Sequence, residues 1–368
     1  ARCIVLLGSH IGENLHNAQV QTLAAAINKN ATLITVDPRF SVPAGKSQHW
    51  LPIKPGTDIA LLLGWMNVII EEELYDKDYV ERYTIGFEQL ADHVRQYTPE
   101  WVFLETGIRP EVIRETAREM GIAAPATVVH PGRHAVWYGD DTQRSRAIAI
   151  LNALLGSWNR KGGFYIPEKV DMPHYPLPKY PTPNLQTSDA YPGKWPFASQ
   201  GVTNGVIEAS IGEDAFFKGW MVYGTNLPQT IPGVAAKLRA AADSLDLVVV
   251  VETMPSEMTG YADIILPECT YLERYDDIRN SGERHPSLAL RMPAFEPKYE
   301  SKPGWWIAKQ LGEHLGLGKY FPWEDYADKL DWELQQVGSS LEEMQKIGVK
   351  NFPRKRPLYF REGQTARF

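Results

Sequence analysis

The sequence predicts an α/β fold, two related αβα domains with mainly parallel sheets, and three observations predict it. An apolar run closed by glycine, then a helical stretch, then a second apolar run ending in an acid, occurs twice along the chain. The runs are short and apolar throughout, as in strands covered on both faces. The length of 368 residues is more than one ordinary core accommodates, so two domains are expected.

The first copy opens with the strand Cys3–Leu7, closed by Gly8 and a polar loop over 9–14. A helix over 18–28 follows, then the strand Thr32–Val36, ending in Asp37-Pro38. The second copy begins with a strand over 220–223, closed by Gly224 and a loop over 225–229. Its helix runs over 234–242, and its second strand, 247–251, ends in Glu252-Thr253. Gly8 precedes Asp37 by 29 residues and Gly224 precedes Glu252 by 28. A Leu-Pro pair follows each acid at the same distance, Leu51-Pro52 and Leu266-Pro267. Each copy is thus a Rossmann-like βαβ unit, whose parallel strands need a right-handed crossover helix. In such sheets ligands sit outside the carboxyl ends of the strands. That places 8–14 with 37–39 at one ligand site, and 224–229 with 252–253 at another. A loop leading into a helix N-terminus suits a phosphate, and an acid at a strand end suits ribose hydroxyls. Neither copy carries GxGxxG, which counts against an ordinary NAD site.

Between the copies the pattern predicts a buried helix over 59–70, an acidic amphipathic helix over 70–83 and a helix over 109–120 with Pro110 at its start. A buried strand at Thr127–His130 leads to Pro131-Gly132-Arg133-His134, and a helix over 144–155 ends at Gly156. The stretch 167–196 is too rich in proline for a helix or a central strand and reads as an extended crossing. The expected organisation is a first α/β domain over 1–165, the crossing over 166–200, a second α/β domain over 201–318 and a C-terminal connector over 319–368, each α/β domain a candidate for binding a nucleotide. The connector holds one amphipathic helix, 326–337, and the basic stretch PRKRP.

Composition excludes several functions. The net charge is −7 and no Lys/Arg run is long enough to track a phosphate backbone, so nucleic acid is not the expected partner. No apolar stretch approaches the ~20 residues of a membrane span, so no direct span is expected. Two cysteines, Cys3 and Cys269, make neither a disulfide framework nor a zinc site. Cys3 falls inside a strand and Cys269 reads as a packed thiol.

Taken in order, LLGSHIGEN, TVDPRFS, LPIKPGTDIALL, LNALLGSWNRKGGF, YGTNLPQT and ADIILPECTYLE resemble the dimethyl-sulfoxide-reductase superfamily of molybdopterin oxidoreductases. Within it, SEMTGYADIILPECTYLERYD and HPGRHAVWYGDDTQRSRA resemble the catalytic subunits of polysulfide, thiosulfate and tetrathionate reductases, with parts shared by arsenate reductases. The resemblance covers nearly the whole chain and implies a bis(molybdopterin guanine dinucleotide) cofactor carrying molybdenum or tungsten, with one dinucleotide clasped by each α/β half. It implies that Gly8, Ser9, His10, Glu13 and Asn14 line one dinucleotide, with Asp37, Pro38 and Arg39 at the second strand end. Gly56, Thr57 and Asp58 match the loop that meets the guanine, where a carboxylate can accept two hydrogen bonds from the N1 and N2 edge. Gly132 and Arg133 match a loop that approaches the pterin. In the other half Gly224, Thr225, Asn226, Glu252, Thr253, Glu273 and Arg274 are the matching positions.

The resemblance also implies what lies elsewhere. The family's metal ligand, its four-Cys segment for a 4Fe-4S cluster and its C-terminal barrel fall outside the motifs present here. The expectation is therefore a cofactor-binding core that is inactive alone, with no catalytic or metal-ligating residue of its own. The expected chemistry of the whole subunit is reduction of a small inorganic sulfur compound in anaerobic respiration. Expected partners are an iron–sulfur electron-transfer subunit and a membrane quinone-reactive subunit, at a periplasmic location or on the outer face of the cytoplasmic membrane. The rival readings are a metal-free structural relative in a quinol-oxidising complex, an arsenate reductase-like enzyme and a generic two-domain binding protein.

Overall fold

The computed structural model describes residues 1–9, 11–13, 17–132, 141–194 and 201–359. They form two compact units, the first of 1–168 with the terminal stretch from 354, the second of 169–353. No described helix is long and apolar enough to cross a membrane.

In the first unit, β1 (Cys3–Leu7), α1 (Asn17–Ile27), β2 (Thr32–Val36) and β3 (His49–Leu51) lead into α2 (Asp58–Glu71) and α3 (Lys77–Tyr83). Then come α4 (Phe87–Val94), α5 (Pro99–Thr106), α6 (Pro110–Ala123), β4 (Thr127–His130) and α7 (Asp141–Leu154). The sheet is wholly parallel in the order β3-β2-β1-β4. Both faces are covered, as apolar runs with no polar side require. Val5, Leu7, Ile34 and Val36 join one core with residues of α2, α5, α6 and α7, while Leu6 and Leu33 meet Val20, Leu23 and Ile27 of α1. Helix α2 is central to the larger core. Trp65 is fully buried and donates its indole N–H to Thr116 Oγ1 at 2.9 Å, so its large apolar area leaves no polar atom unpaired. At the edge, Asn152 accepts from Val129 N and donates to Val129 O, supplying to β4 the partners that a further strand would give.

The single helix expected over 70–83 is instead a break and a short helix. Glu73 takes a left-handed backbone, and Asp76 caps α3 by accepting from Tyr79 N while its other oxygen pairs with Arg160 at 2.6 Å. A strong N-cap restarts the chain there.

In the second unit, α8 (Thr203–Glu208), β5 (Gly219–Tyr223), α9 (Leu227–Thr230), α10 (Ala235–Ser244), β6 (Leu247–Glu252) and β7 (Ile264–Pro267) build a parallel sheet in the order β5-β6-β7. One face packs Val222, Val248 and Val250 on Leu238, Ala241 and Ile207. The other face is open at its edge strands, with Met221 at 56% and Ile264 at 47% exposure on either side of Val249, so the expected cover on both faces holds in full only for the first sheet. A second subcore lies around β8 (Arg279–Ser281), β9 (Ser287–Ala289), α11 (Gly304–His314), α12 (Tyr326–Gln335), α13 (Leu341–Ile347) and β10 (Val349–Asn351). There the antiparallel sheet β10-β9-β8 meets Leu330, Leu334 and Met344. Most of the stretch expected to be a connector is therefore packed structure. The proline-rich segment begins within this subcore too. Val170 is buried in it, and its N–H and C=O are both bonded by the Asn280 side chain.

Candidate cofactor site

The duplication holds to the residue. Leu7 pairs with Val36 and Val36 with Leu51; Tyr223 pairs with Val251 and Val251 with Leu266. Gly8 N–H donates to Val36 O at 2.9 Å, and Gly224 N–H donates to Val251 O at 3.0 Å. Both glycines are left-handed, φ +56° and +57°, the conformation that turns the chain away from the strand and that side chains resist. Asp37 and Glu252 thus occupy equivalent places at the carboxyl ends of the second strands. The Leu-Pro pairs mark the ends of β3 and β7, third strands that the sequence pattern alone left as loop.

At the first sheet these ends form a knit surface. The Asp37 carboxylate accepts from Arg39 N at 2.8 Å, and Arg39 Nη2 donates to Glu13 Oε2 at 3.1 Å. Glu13 Oε1 accepts from Val42 N at 2.7 Å, tying the loop after β1 to the loop after β2. Arg39 is 61% exposed, so its fork faces solvent while it holds Glu13. Ser9 is buried beside them, and Pro38 sits exposed in the turn. Gly132, at φ +63°, closes the loop after β4 against β1 so tightly that a Cβ there would lie 1.9 Å from Leu7 O. Gly56, at φ +84°, and Thr57, whose hydroxyl donates to Lys54 O, make the turn before α2, and Asp58 is the first residue of that helix. His10, Asn14 and Arg133 lie outside the described residues.

Sequence reasoning missed Arg144 as a site residue. It is 4% exposed in the first turn of α7 and donates to Pro131 O at 3.0 Å and to Leu7 O at 3.4 Å. Its Nε lies 3.5 Å from Asp58 Oδ1 and has no hydrogen bond. Arg144 thereby joins the ends of β1 and β4 to the start of α2, beneath the place where a dinucleotide would lie. A signal was available. Arg144 shares the helical face of Ala147, Ile148, Leu151 and Leu155, all buried. A cation on an apolar face, at a helix end that disfavours it, calls for a buried acceptor.

At the second sheet, Asn226 accepts from Met258 N at 3.2 Å and donates to Glu257, fixing the loop after β5 to the loop after β6. Hydrogen bonds from the Asn226 amide first, then its own backbone N–H and Gln229, lower the Glu257 pKa. Thr225 donates to Tyr223 O, and Glu252 accepts from Thr253 N at 2.8 Å. Gly224, Thr225, Asn226, Glu252 and Thr253 therefore meet at the strand ends. Glu273 and Arg274 are engaged with their own loop. Glu273 accepts from Thr270 N and Lys298 N, and Arg274 pairs with Glu268 and Asp276 and donates to Cys269 O. A cleft of about 410 Å³ runs along the outer edge of β5 from Gly219 to Thr225, against Thr203, Val206 and Ile207. In the first sheet the matching edge of β1 carries β4.

Burial pushes the Cys3 thiol up to about 12, with the Glu119 charge adding to it, and burial also raises Cys269. Both are buried free thiols. The strand-end loops, by contrast, fit a dinucleotide. They offer left-handed glycines that let a ligand approach the backbone, an exposed guanidinium, an acid at each second strand end and a buried guanidinium nitrogen still lacking an acceptor.

Residues 1–314 match the family model "Molybdopterin oxidoreductase". The chain is 35% identical to the thiosulfate reductase molybdopterin-containing subunit PhsA of Salmonella typhimurium, over all of this chain and 50% of that protein. It is 26% identical to dimethyl sulfoxide reductase DmsA of Escherichia coli, over 87% of this chain and 43% of that one. The solved structure of acetylene hydratase from Pelobacter acetylenicus superposes with a TM-score of 0.76 at 25% identity, covering 95% of this chain and 52% of that chain. The chain spans about half the length of the curated relatives it matches. With its duplicated strand-end loops and a family match over most of its length, the chain belongs to the molybdopterin oxidoreductase family.

Proposed function

We propose that this chain is the dinucleotide-clasping core of a subunit that reduces a sulfur compound, thiosulfate, tetrathionate or polysulfide, in anaerobic respiration. The observation that carries the substrate class is the 35% identity to a thiosulfate reductase subunit across the entire chain. The cofactor would be bis(molybdopterin guanine dinucleotide), whose dithiolenes, when bound, hold molybdenum or tungsten for two-electron transfer. One dinucleotide would rest on Gly8, Ser9, Asp37, Arg39, Asp58 and Gly132, with Arg144 beneath. The other would rest on Gly224, Thr225, Asn226 and Glu252. The protein's part is to orient both halves: glycines let phosphates approach the backbone, Arg39 offers its fork to pyrophosphate, and Asp58 faces the guanine edge. Electrons would come from an iron–sulfur subunit linked to a quinone-reactive membrane subunit, on the periplasmic side.

The test is elemental analysis and acid release of guanine nucleotide from the polypeptide carrying this chain together with its metal-ligating part. About one molybdenum or tungsten with two guanine nucleotides, and dye-linked reduction of thiosulfate, tetrathionate or polysulfide, is the expected result. Cofactor present but activity only on arsenate would replace the substrate class. Absence of both metal and nucleotide from an intact preparation would make the chain a metal-free scaffold.

A further inference from the structure

A second group of ligating side chains lies in the first unit, where α6 meets the edge strand β3. His49 opens β3, and its Nε2 lies 3.0 Å from Glu119 Oε1 on α6. Glu115 stands one turn earlier on the same helix face, and one ligand atom from each of the three residues falls within 4.8 Å of the others. Two ligands held about 2.1 Å from one ion are themselves about 3.0–3.4 Å apart, the spacing His49 and Glu119 already have.

Two further observations bear on the charge of the group. Glu119 Oε2 is shut off from solvent and accepts no hydrogen bond, while the side chain as a whole is 33% exposed. The basic residues of the same helix are engaged elsewhere. Arg118 is committed to Glu72 through two bonds of 2.7 and 2.8 Å, and Arg114 to Glu100 at 2.7 Å. Both guanidinium groups are held by acids of other segments, and among the described residues Glu119 pairs with His49.

We propose that His49, Glu115 and Glu119 form a structural site for a zinc-type divalent cation that pins β3 to α6. One imidazole with two carboxylates is a donor set of zinc and its first-row neighbours. Magnesium and calcium prefer oxygen alone. The site uses no residue assigned to the cofactor, so it stands or falls apart from the reductase reading. Its effect is mechanical: β3 carries Leu51, whose carbonyl accepts from Asp37 N and so sets the second strand end.

The chelator-stripped chain is titrated calorimetrically with zinc and, separately, with magnesium. Amide exchange of the peptide spanning 48–52 is followed in parallel. One zinc per chain, indifference to magnesium and slower exchange of that peptide on zinc addition are expected. Glu115→Gln, on the exposed side of the helix where it cannot disturb the fold, should weaken zinc roughly tenfold or more, and His49→Gln likewise. Substoichiometric binding, or zinc held equally well by Glu115→Gln, would overturn the proposal.

Discussion

Replacing Arg144 with Met tests whether one buried guanidinium holds the floor of the candidate cofactor site. Met keeps much of the side chain's bulk and removes the charge and the donors. Asp58, 12% exposed, would then face the interior without its cation, and the carbonyls of Pro131 and Leu7 would lose donors at 3.0 and 3.4 Å. Removing one partner of a buried pair costs about 3–5 kcal/mol. The 3.5 Å approach of Nε to Asp58 is no hydrogen bond, and the Leu7 contact is long, so the lower end applies, about 3 kcal/mol. Because the chain has two units, one global unfolding curve is a poor measure. Amide exchange of the peptides bearing Leu7, Gly8 and Val129 reads the local effect, and about 3 kcal/mol is about 150-fold faster exchange where local opening dominates. Asp58→Asn alone strands Arg144 and should cost nearly as much. Together the two changes leave no unpaired charge, so the double variant should fall short of the sum by about 1–2 kcal/mol. Less than tenfold acceleration in Arg144→Met, or additivity of the two changes within about 0.5 kcal/mol, would show that the pair does not organise this end of the sheet.

Gly132→Ala places a Cβ 1.9 Å from Leu7 O at φ +63° and must move the loop, so a loaded full-length enzyme should lose guanine nucleotide. Gly56→Ala, at φ +84° with no protein atom within 4 Å, should cost the left-handed strain, about 1–2 kcal/mol, read by local exchange in the cofactor-free chain. Asn226→Ala removes the bonds to Met258 N and Glu257 from the second half. It should lower retained guanine nucleotide toward one per chain, and retention of two would remove Asn226 from the site. Glu208 is held down to about 2 by hydrogen bonds from Lys194 and then Lys237. Because its folded pKa lies below the unfolded value of about 4.3, its stabilisation is full above that value and is lost as pH falls toward 2. Helix exchange around α8 should therefore quicken over that acid range at low salt. Glu208→Gln should flatten the response, and an unchanged profile would show that the pairs contribute nothing.

What the sequence made legible is the part governed by local periodicity. Short apolar runs, a glycine and an acid at a fixed spacing led to β1, β2, β5 and β6 and to the turns at Gly8 and Gly224, whose positive φ and matched bonds the structure adds. The third strands were noticed only as Leu-Pro pairs, because three or four residues are too few for a period to show. The break before α3 is made locally by the Asp76 cap on Tyr79 N, and the Arg160 pair that also holds Asp76 comes from 84 residues away, so no window along the chain contains both. The open face of the second sheet was hidden for a related reason. Met221 and Val5 stand in equally apolar runs, yet the first is 56% exposed and the second fully buried. An apolar strand records that a face can be covered, while the cover itself is a long-range fact. Arg144 belongs between these cases. Its place on a buried helix face was readable, but its acceptors, Pro131 O, Leu7 O and the Asp58 carboxylate, come from three separate segments. The site is thus legible where glycines and strand ends make it and illegible where charge is buried across elements. Those buried charges are where substitution should best separate a chain that clasps a dinucleotide from one that only keeps the fold.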